Sequence, residues 1–294
     1  MPAIFPSSGV ANLLICVSGV GARSGFSAFI SNVITDLHTL DTGQCFPLYL
    51  YQQVDDMPFS DDLFPAAEGE IGMLQRRDAI TDEGLAHFQK AYPGETITKE
   101  DLFYYIYGLL HSPDYRSRYA DNLSKELPRI PAVKTFADFR AFSQAGRDLA
   151  RWHLNYETVA LHPGVTLDTG KTPANALTDA DYRVTKMKFA KTRDPETGKS
   201  INDKTTVIYN ERITVKNIPL SAYDYIVNGK PALEWVMERQ SVTTDKDSGI
   251  TNDANLWATE TMANPKYPLE LLQRVITVSL ETMKIVASLP ALKA

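Results

Sequence analysis

Between Tyr182 and Lys216 the sequence gathers side chains that handle nucleic acid. Arg183, Lys186, Lys188, Lys191, Arg193 and Lys204 stand among β-branched and aromatic residues, with Asn202, Asn210 and Arg212 in the same run. Lysine and arginine hold phosphates and fix register on a duplex, whereas bidentate arginine, asparagine or glutamine reads base edges. By residue type Arg183, Arg193, Asn202, Asn210 and Arg212 are candidate base readers, and the lysines are candidate phosphate contacts. A second basic run adds Arg116, Arg118 and Lys125 as phosphate contacts. The competing reading is a solvated hairpin and a solvated helix face, with lysines that limit edge-to-edge strand pairing.

The formal charge of −6 is unevenly spread. Residues 52–101 carry 12 acidic against 4 basic side chains, residues 116–151 carry 8 basic against 4 acidic, and residues 171–216 carry 10 basic against 6. A polyanion is attracted to the last two segments and repelled by the first. At 294 residues, 44% hydrophobic and 22% charged, the composition is that of an ordered globular protein with room for two sub-domains. Cys16 and Cys45 lie in apolar surroundings without C-x-x-C spacing, which predicts buried reduced thiols and a cytoplasmic setting. No run of 18 apolar residues is present, so no membrane partner is expected.

Other chemistries have weaker support. An apolar strand at Leu13–Val17 runs into Gly19, Gly21 and Gly25, and Phe26, Phe29, Ile30, Val33, Ile34 and Leu37 then recur at helical spacing. Asp41 stands where a ribose-binding acid belongs. This imitates a dinucleotide fold, and a nucleotide-cofactor enzyme built on that glycine turn is the alternative function. Against it, the spacing is G-x-G-x-x-x-G and no alternating βαβ units follow. There is no G-x-x-x-x-G-K-[ST] loop for ATP, and the five histidines lack H-x-x-x-H or H-E-x-x-H pairing. Asn264-Pro265-Lys266-Tyr267 departs from an adenine-gripping Asn-Pro-Pro-Tyr loop at its third position and reads as a helix entry. TTDKDSGITNDAN lacks calcium-loop spacing. No catalytic residue, cofactor site or metal site is therefore expected in this chain.

The elements that position these residues follow from caps and prolines. Thr98 with Asp101 opens a helix with Phe103, Ile106, Tyr107 and Leu110 on one face. Ser112-Pro113 opens a second helix, expected to end near Leu127. Pro128 and Pro131 hold an extended stretch, and a third helix carries Phe136, Phe139, Phe142, Leu149 and Trp152. Gln44–Gln52 reads as one strand, Thr81 as the cap of a short helix, and Pro231 and Pro268 as helix starts. YRVTKMKFAK and TTVIYNERITV, joined by DPETGKS, predict a long β-hairpin. The expected fold is α+β: a helical scaffold with a mixed or antiparallel sheet and that hairpin, in two sub-domains, 1–157 and 158–294.

Several blocks in fixed order carry a family resemblance. They are GVGARSGFSAFISNVITDLHTLDTGQCFPLYLYQ, ITKEDLFYYIYGLLHSPDYRSRYADNLSKELPRIP, FSQAGRDLARWHLNYE, YNERITVKNIP, YDYIVNGKPALEWVMERQSVTTDKDSGITND and PKYPLELLQRVITVSLETMKIVASLP. Together they resemble the carboxy-terminal specificity region of Type ISP restriction-modification enzymes, large prokaryotic polypeptides that combine nuclease, helicase, adenine methyltransferase and target-recognition parts. The resemblance spans nearly the whole chain. It implies sequence-specific binding of double-stranded DNA by a non-catalytic domain joined to a methyltransferase domain. S-adenosylmethionine, ATP and Mg would then serve the longer parent enzyme and not this chain. A third reading is a protein-interaction scaffold, in which acidic residues 52–101 meet a basic surface of the parent.

Overall fold

The computed structural model describes residues 3–36, 39–40, 42–53 and 74–293. Two compact units divide the chain: residues 1–154 with 288–294, and residues 155–287.

The first unit opens with three antiparallel strands in the order β2-β1-β3: β1 (Leu14–Val17), β2 (Ala28–Ser31) and β3 (Gln44–Pro47). All four residues of the central strand β1 are buried, as a strand covered on both faces requires. This overturns the dinucleotide reading. Residues after Gly25 form an antiparallel strand where a dinucleotide fold needs a crossover helix, and β1–β2 is a hairpin. Its loop is tied by Ser18, whose Oγ accepts from the Ser27 amide at 2.6 Å and donates to the Gly25 carbonyl at 3.1 Å. Gly21 and Gly25 sit at φ +75° and +76°, so these glycines serve the turn. Leu37, His38 and Asp41 lie outside the described residues. Cys16 and Cys45 are free thiols facing each other across β1 and β3, with Sγ atoms 3.1 Å apart.

The strand expected over Gln44–Gln52 breaks at Leu48. Its second half is β4 (Tyr49–Gln53), which pairs with β5 (Leu74–Asp78) in a separate sheet. Most of the acidic segment between them lies outside the described residues.

Caps place the helices. The Thr81 hydroxyl accepts from Gly84 N–H at the start of α1 (Asp82–Ala91). Thr98 and Asp101 form the reciprocal capping box of α2 (Lys99–Leu110). Ser112 caps α3 (Pro113–Arg118), which breaks at Tyr119 into α4 (Ala120–Leu123), so the second helix is two short pieces and ends before Leu127. The extended proline segment is gripped by three buried tyrosines: Tyr115, Tyr105 and Tyr92 donate to the carbonyls of Arg129, Pro131 and Val133 at 2.7, 2.6 and 2.6 Å. Those carbonyls alternate by two residues and so share one side of the extended chain. They lead into α5 (Phe136–Leu154), which crosses α2 at two glycines. A Cβ on Gly146 would lie 1.8 Å from the Tyr104 carbonyl oxygen, and one on Gly108 would lie 2.2 Å from that of Phe142. The close crossing lets Tyr105 stack on Phe139 at 4.7 Å between ring centroids.

The second unit centres on a four-stranded antiparallel sheet, β6-β9-β8-β7: β6 (Thr166–Asp168), β7 (Lys188–Arg193), β8 (Ser200–Ile208) and β9 (Thr214–Lys216). A small bridge, β10 (Ile226–Val227) with β11 (Lys230–Pro231), precedes α6 (Ala232–Arg239). The Trp235 indole N–H donates to the Val227 carbonyl at 2.7 Å. A second hairpin, β12 (Val242–Thr244) and β13 (Thr251–Asp253), runs into the single turn α7 (Ala254–Leu256), a π-helical turn over Trp257–Thr261, and α8 (Tyr267–Ala287). Val207 and Val215 from the sheet and Tyr209 and Ile213 from the β8–β9 turn share one core with Leu233, Leu272 and Ile276 from the helices.

Candidate nucleic-acid interface

The predicted hairpin forms as the β7–β8 ribbon, but Tyr182–Met187 lies outside β7, and TTVIYNERITV turns at Tyr209–Ile213 from β8 into β9. Its turn is built by Asp194, whose carboxylate accepts from the amides of Glu196 and Thr197 at 2.8 and 2.9 Å, while Gly198 takes φ +66°. Those two amides hold the Asp194 carboxyl below the usual carboxylate range. The core ends partway along the ribbon. Val207 is fully buried and Phe189 packs on Tyr223, but Lys191, Thr192 and Arg193 are all exposed, as are Ser200, Ile201 and Asn202 opposite them. Three consecutive exposed residues on each strand mean that both faces of the outer ribbon meet solvent. A bulge between Phe189 and Ala190 marks the change from buried base to open tip.

The structure separates the candidates by what already occupies them. Lys186, Lys188 and Arg193 are exposed and make no side-chain ion pair or hydrogen bond among the described residues. Lys191 donates to the Asn202 amide oxygen at 2.6 Å across the ribbon, leaving the Asn202 amide nitrogen open. Lys204 is paired with Glu234 at 3.0 Å and lies 5.2 Å from the Tyr223 ring centre. Asn210 is committed to the β8–β9 turn. Its nitrogen donates to the carbonyls of Asp181 and Arg183, and its oxygen accepts from the amides of Arg212 and Ile213. Arg212 reaches Asp181 at 3.6 Å, and Arg183 holds Asp253 at 2.6 Å. Burial raises the Asp253 carboxyl pKa, but hydrogen bonds from Asn255 and Arg183 outweigh it and hold that pKa below the ordinary value.

The other three candidates belong to the first unit. Arg116 is half-buried, donates to the Leu110 carbonyl at 2.7 Å and lies 5.6 Å from the Phe26 ring centre, so it helps to close the end of α2. Arg118 and Lys125 are exposed on α3 and just after α4. Elsewhere in the same basic run the cations are used internally: Arg140 and Arg147 share Asp101, at 3.3 and 3.0 Å.

Two residues of this region escaped sequence reasoning. Asn255 is buried and holds both backbone groups of Val184, accepting its N–H at 2.9 Å and donating to its carbonyl at 2.8 Å. Trp257 stands 54% exposed on the π-helical turn. The partners of Asn255 are 71 residues away in sequence, and no local pattern announces them.

Among the described residues no three His, Cys, Asp or Glu side chains gather as a metal site. No helix among them is long and apolar enough to cross a membrane.

A family model described as the Type ISP C-terminal specificity domain matches residues 1–271. The chain belongs to that family. Three solved structures extend the match over the whole length. The ATP-dependent Type ISP restriction-modification enzyme LlaBIII bound to DNA is 36% identical with a TM-score of 0.78, covering 99% of this chain and 17% of that one. A nuclease-deletion mutant of the Type ISP enzyme LlaGI, in complex with a DNA substrate mimic, is 36% identical with a TM-score of 0.71, covering 98% of this chain and 22% of that one. The DrdV–DNA complex is 32% identical with a TM-score of 0.74, covering 100% and 26%. No curated protein matches. As a Type ISP specificity domain, the chain spans between 17% and 26% of the length of these three structures.

Proposed function

We propose that this specificity domain binds double-stranded DNA at a defined sequence and directs a linked adenine methyltransferase and ATP-dependent helicase-nuclease to it, with no catalysis of its own. The observation that carries this reading is the match of 98–100% of the chain, at 32–36% identity, to enzymes solved with DNA. The setting that goes with it is the cytoplasm of a prokaryote.

The ribbon supplies a physical route. Lys186, Lys188 and Arg193 present charge that no acid among the described residues neutralises, which suits phosphate contacts. Asn202 keeps its amide nitrogen available next to Lys191, and Arg193 stands beside the turn, so these two are the best placed readers of base edges. Arg183 would have to leave Asp253 to take that role, and Asn210 would have to dismantle its turn. Arg118 and Lys125 add phosphate contacts from the first unit. The parent would bind S-adenosylmethionine, ATP and Mg through its other parts; the sequence of this chain has no P-loop.

The test is fluorescence anisotropy against random-sequence duplex at low salt, for the chain alone and for the chain fused behind a family methyltransferase. Saturable binding that weakens steeply with salt is expected. Absence of binding in both forms would overturn the reading.

A further inference from the structure

The π-helical turn presents an apolar surface that the second unit leaves uncovered. Leu256 is 51% exposed, Trp257 54% and Met262 36%, while Asn255 and Ala258 on the inner side are buried. The turn is widened by the Met262 amide, which donates to the Trp257 carbonyl at 3.1 Å, an i to i+5 bond. Its end is closed by Ala263 at φ +48°, a left-handed conformation that a residue with a Cβ adopts at a cost, and by the Asn264 amide on the Ala258 carbonyl at 2.8 Å. π turns and strained backbone recur at functional positions.

This surface is fixed to the basic segment. Asn255 grips both backbone groups of Val184, Asp253 pairs with Arg183, and the Val242 amide donates to the Thr185 carbonyl at 2.9 Å. Lys186 and Lys188, which make no ion pair among the described residues, follow directly. Lys266 lies 5.0 Å from the Tyr182 ring centre. The acids on these elements are Glu260 on the turn, and Asp245 and Asp247 at the β12–β13 tip, where Asp245 is held by the amides of Asp247 and Ser248.

An exposed aromatic ring two residues from Asn255, clamped through Asn255 to the segment that carries Lys186 and Lys188, matches what a duplex offers, phosphates for the lysines and a base step for the ring. We propose that Trp257, supported by Leu256, stacks at a base step of the bound DNA, so that the π-helical turn is a second contact beside the ribbon. This inference rests on the DNA-binding reading above.

The chain holds three tryptophans, so emission can report on Trp257 by difference. The full chain, Trp257→Phe and Trp257→Ala are titrated with a random-sequence duplex pool at low salt, following anisotropy and tryptophan emission. DNA is expected to quench emission of the natural chain and not of Trp257→Phe. Trp257→Ala should weaken binding about 5- to 100-fold with unchanged far-ultraviolet circular dichroism, and Trp257→Phe should retain most of the affinity. Quenching that persists in Trp257→Phe, or full affinity in Trp257→Ala, would overturn the proposal and leave the ribbon reading intact. Self-association of the natural chain that Trp257→Ala abolishes, with DNA affinity unchanged, would assign the surface to a second copy and also overturn it. Failure of the natural chain to bind at all would remove the DNA reading itself, and this inference with it.

Discussion

Replacing Gly146 by alanine tests how the helical scaffold is built. The added Cβ would lie 1.8 Å from the Tyr104 carbonyl oxygen and 2.7 Å from its carbon, both backbone atoms of α2. A Cβ needs at least about 3 Å from such an atom, so the two helices must part by roughly 1.2 Å at their crossing. That shift loosens the Tyr105–Phe139 stack and the contacts of fully buried Phe142. Overpacking of this kind costs about 3 kcal/mol at the upper end of its usual range, and alanine's better helix propensity returns about 1 kcal/mol. The net loss is about 2 kcal/mol, or roughly 4–8 °C in the melting temperature of a unit of this size. Gly84→Ala is the control. It makes the same chemical change in a helix, but its Cβ meets Thr81 Oγ1 at an ordinary 3.4 Å, so it should stabilise by up to about 1 kcal/mol. Urea denaturation followed by circular dichroism measures both. A Gly146→Ala protein as stable as the natural one would refute the close-crossing argument.

Further outcomes follow from other groups. His111 is buried, and burial, with Arg116 and His153 nearby, pushes its pKa well below 6.5 against the opposing bond to the Tyr107 carbonyl. The unfolded chain takes up the proton below about pH 6.5 while the folded one resists it, so stability is complete above that pH and declines as pH falls from 7 to 5. His153, pushed by burial down to about 3, acts in the same direction, and denaturation midpoints of the natural chain and His111→Gln at the two pH values measure the share of His111. Asn255→Ala leaves the N–H and carbonyl of fully buried Val184 without partners, a loss of roughly 2–5 kcal/mol readable by the same denaturation. Changing Lys186, Lys188 and Arg193 together to glutamine should reduce the slope of log affinity against log salt by about 2.7 if each meets a phosphate. An unchanged slope would remove all three from the interface.

Much of the scaffold was legible because its signals are local. The Thr98–Asp101 capping box, the Ser112–Pro113 start and the Asp194 turn each close within a few residues, and each forms as read. The stretch after Gly25 misled because Phe26, Phe29, Ile30, Val33 and Ile34 imitate helical spacing, while the strand Ala28–Ser31 has four residues, too short to display its own period. The break at Leu48 was invisible for a related reason: the two halves of one apolar run pair with different strands, one of them more than twenty residues later in the chain. At the candidate interface, composition named the cations but could not tell occupied from open. Arg183 and Lys204 find their acids 70 and 30 residues away, whereas Lys188 and Arg193 find none among the described residues. Asn210 resembled a base reader by type, but two of its bonds go to turn backbone at Arg212 and Ile213 and two to the carbonyls of Asp181 and Arg183, 29 and 27 residues earlier in the chain.

The most direct test of the central claim is selection from a random duplex library by the chain fused behind a family methyltransferase, followed by sequencing. The account predicts enrichment of one sequence, lost when Arg193 and Asn202 are changed to alanine while salt-dependent nonspecific binding remains. Retention of DNA with no sequence enriched, or an enriched sequence indifferent to those two residues, would contradict it.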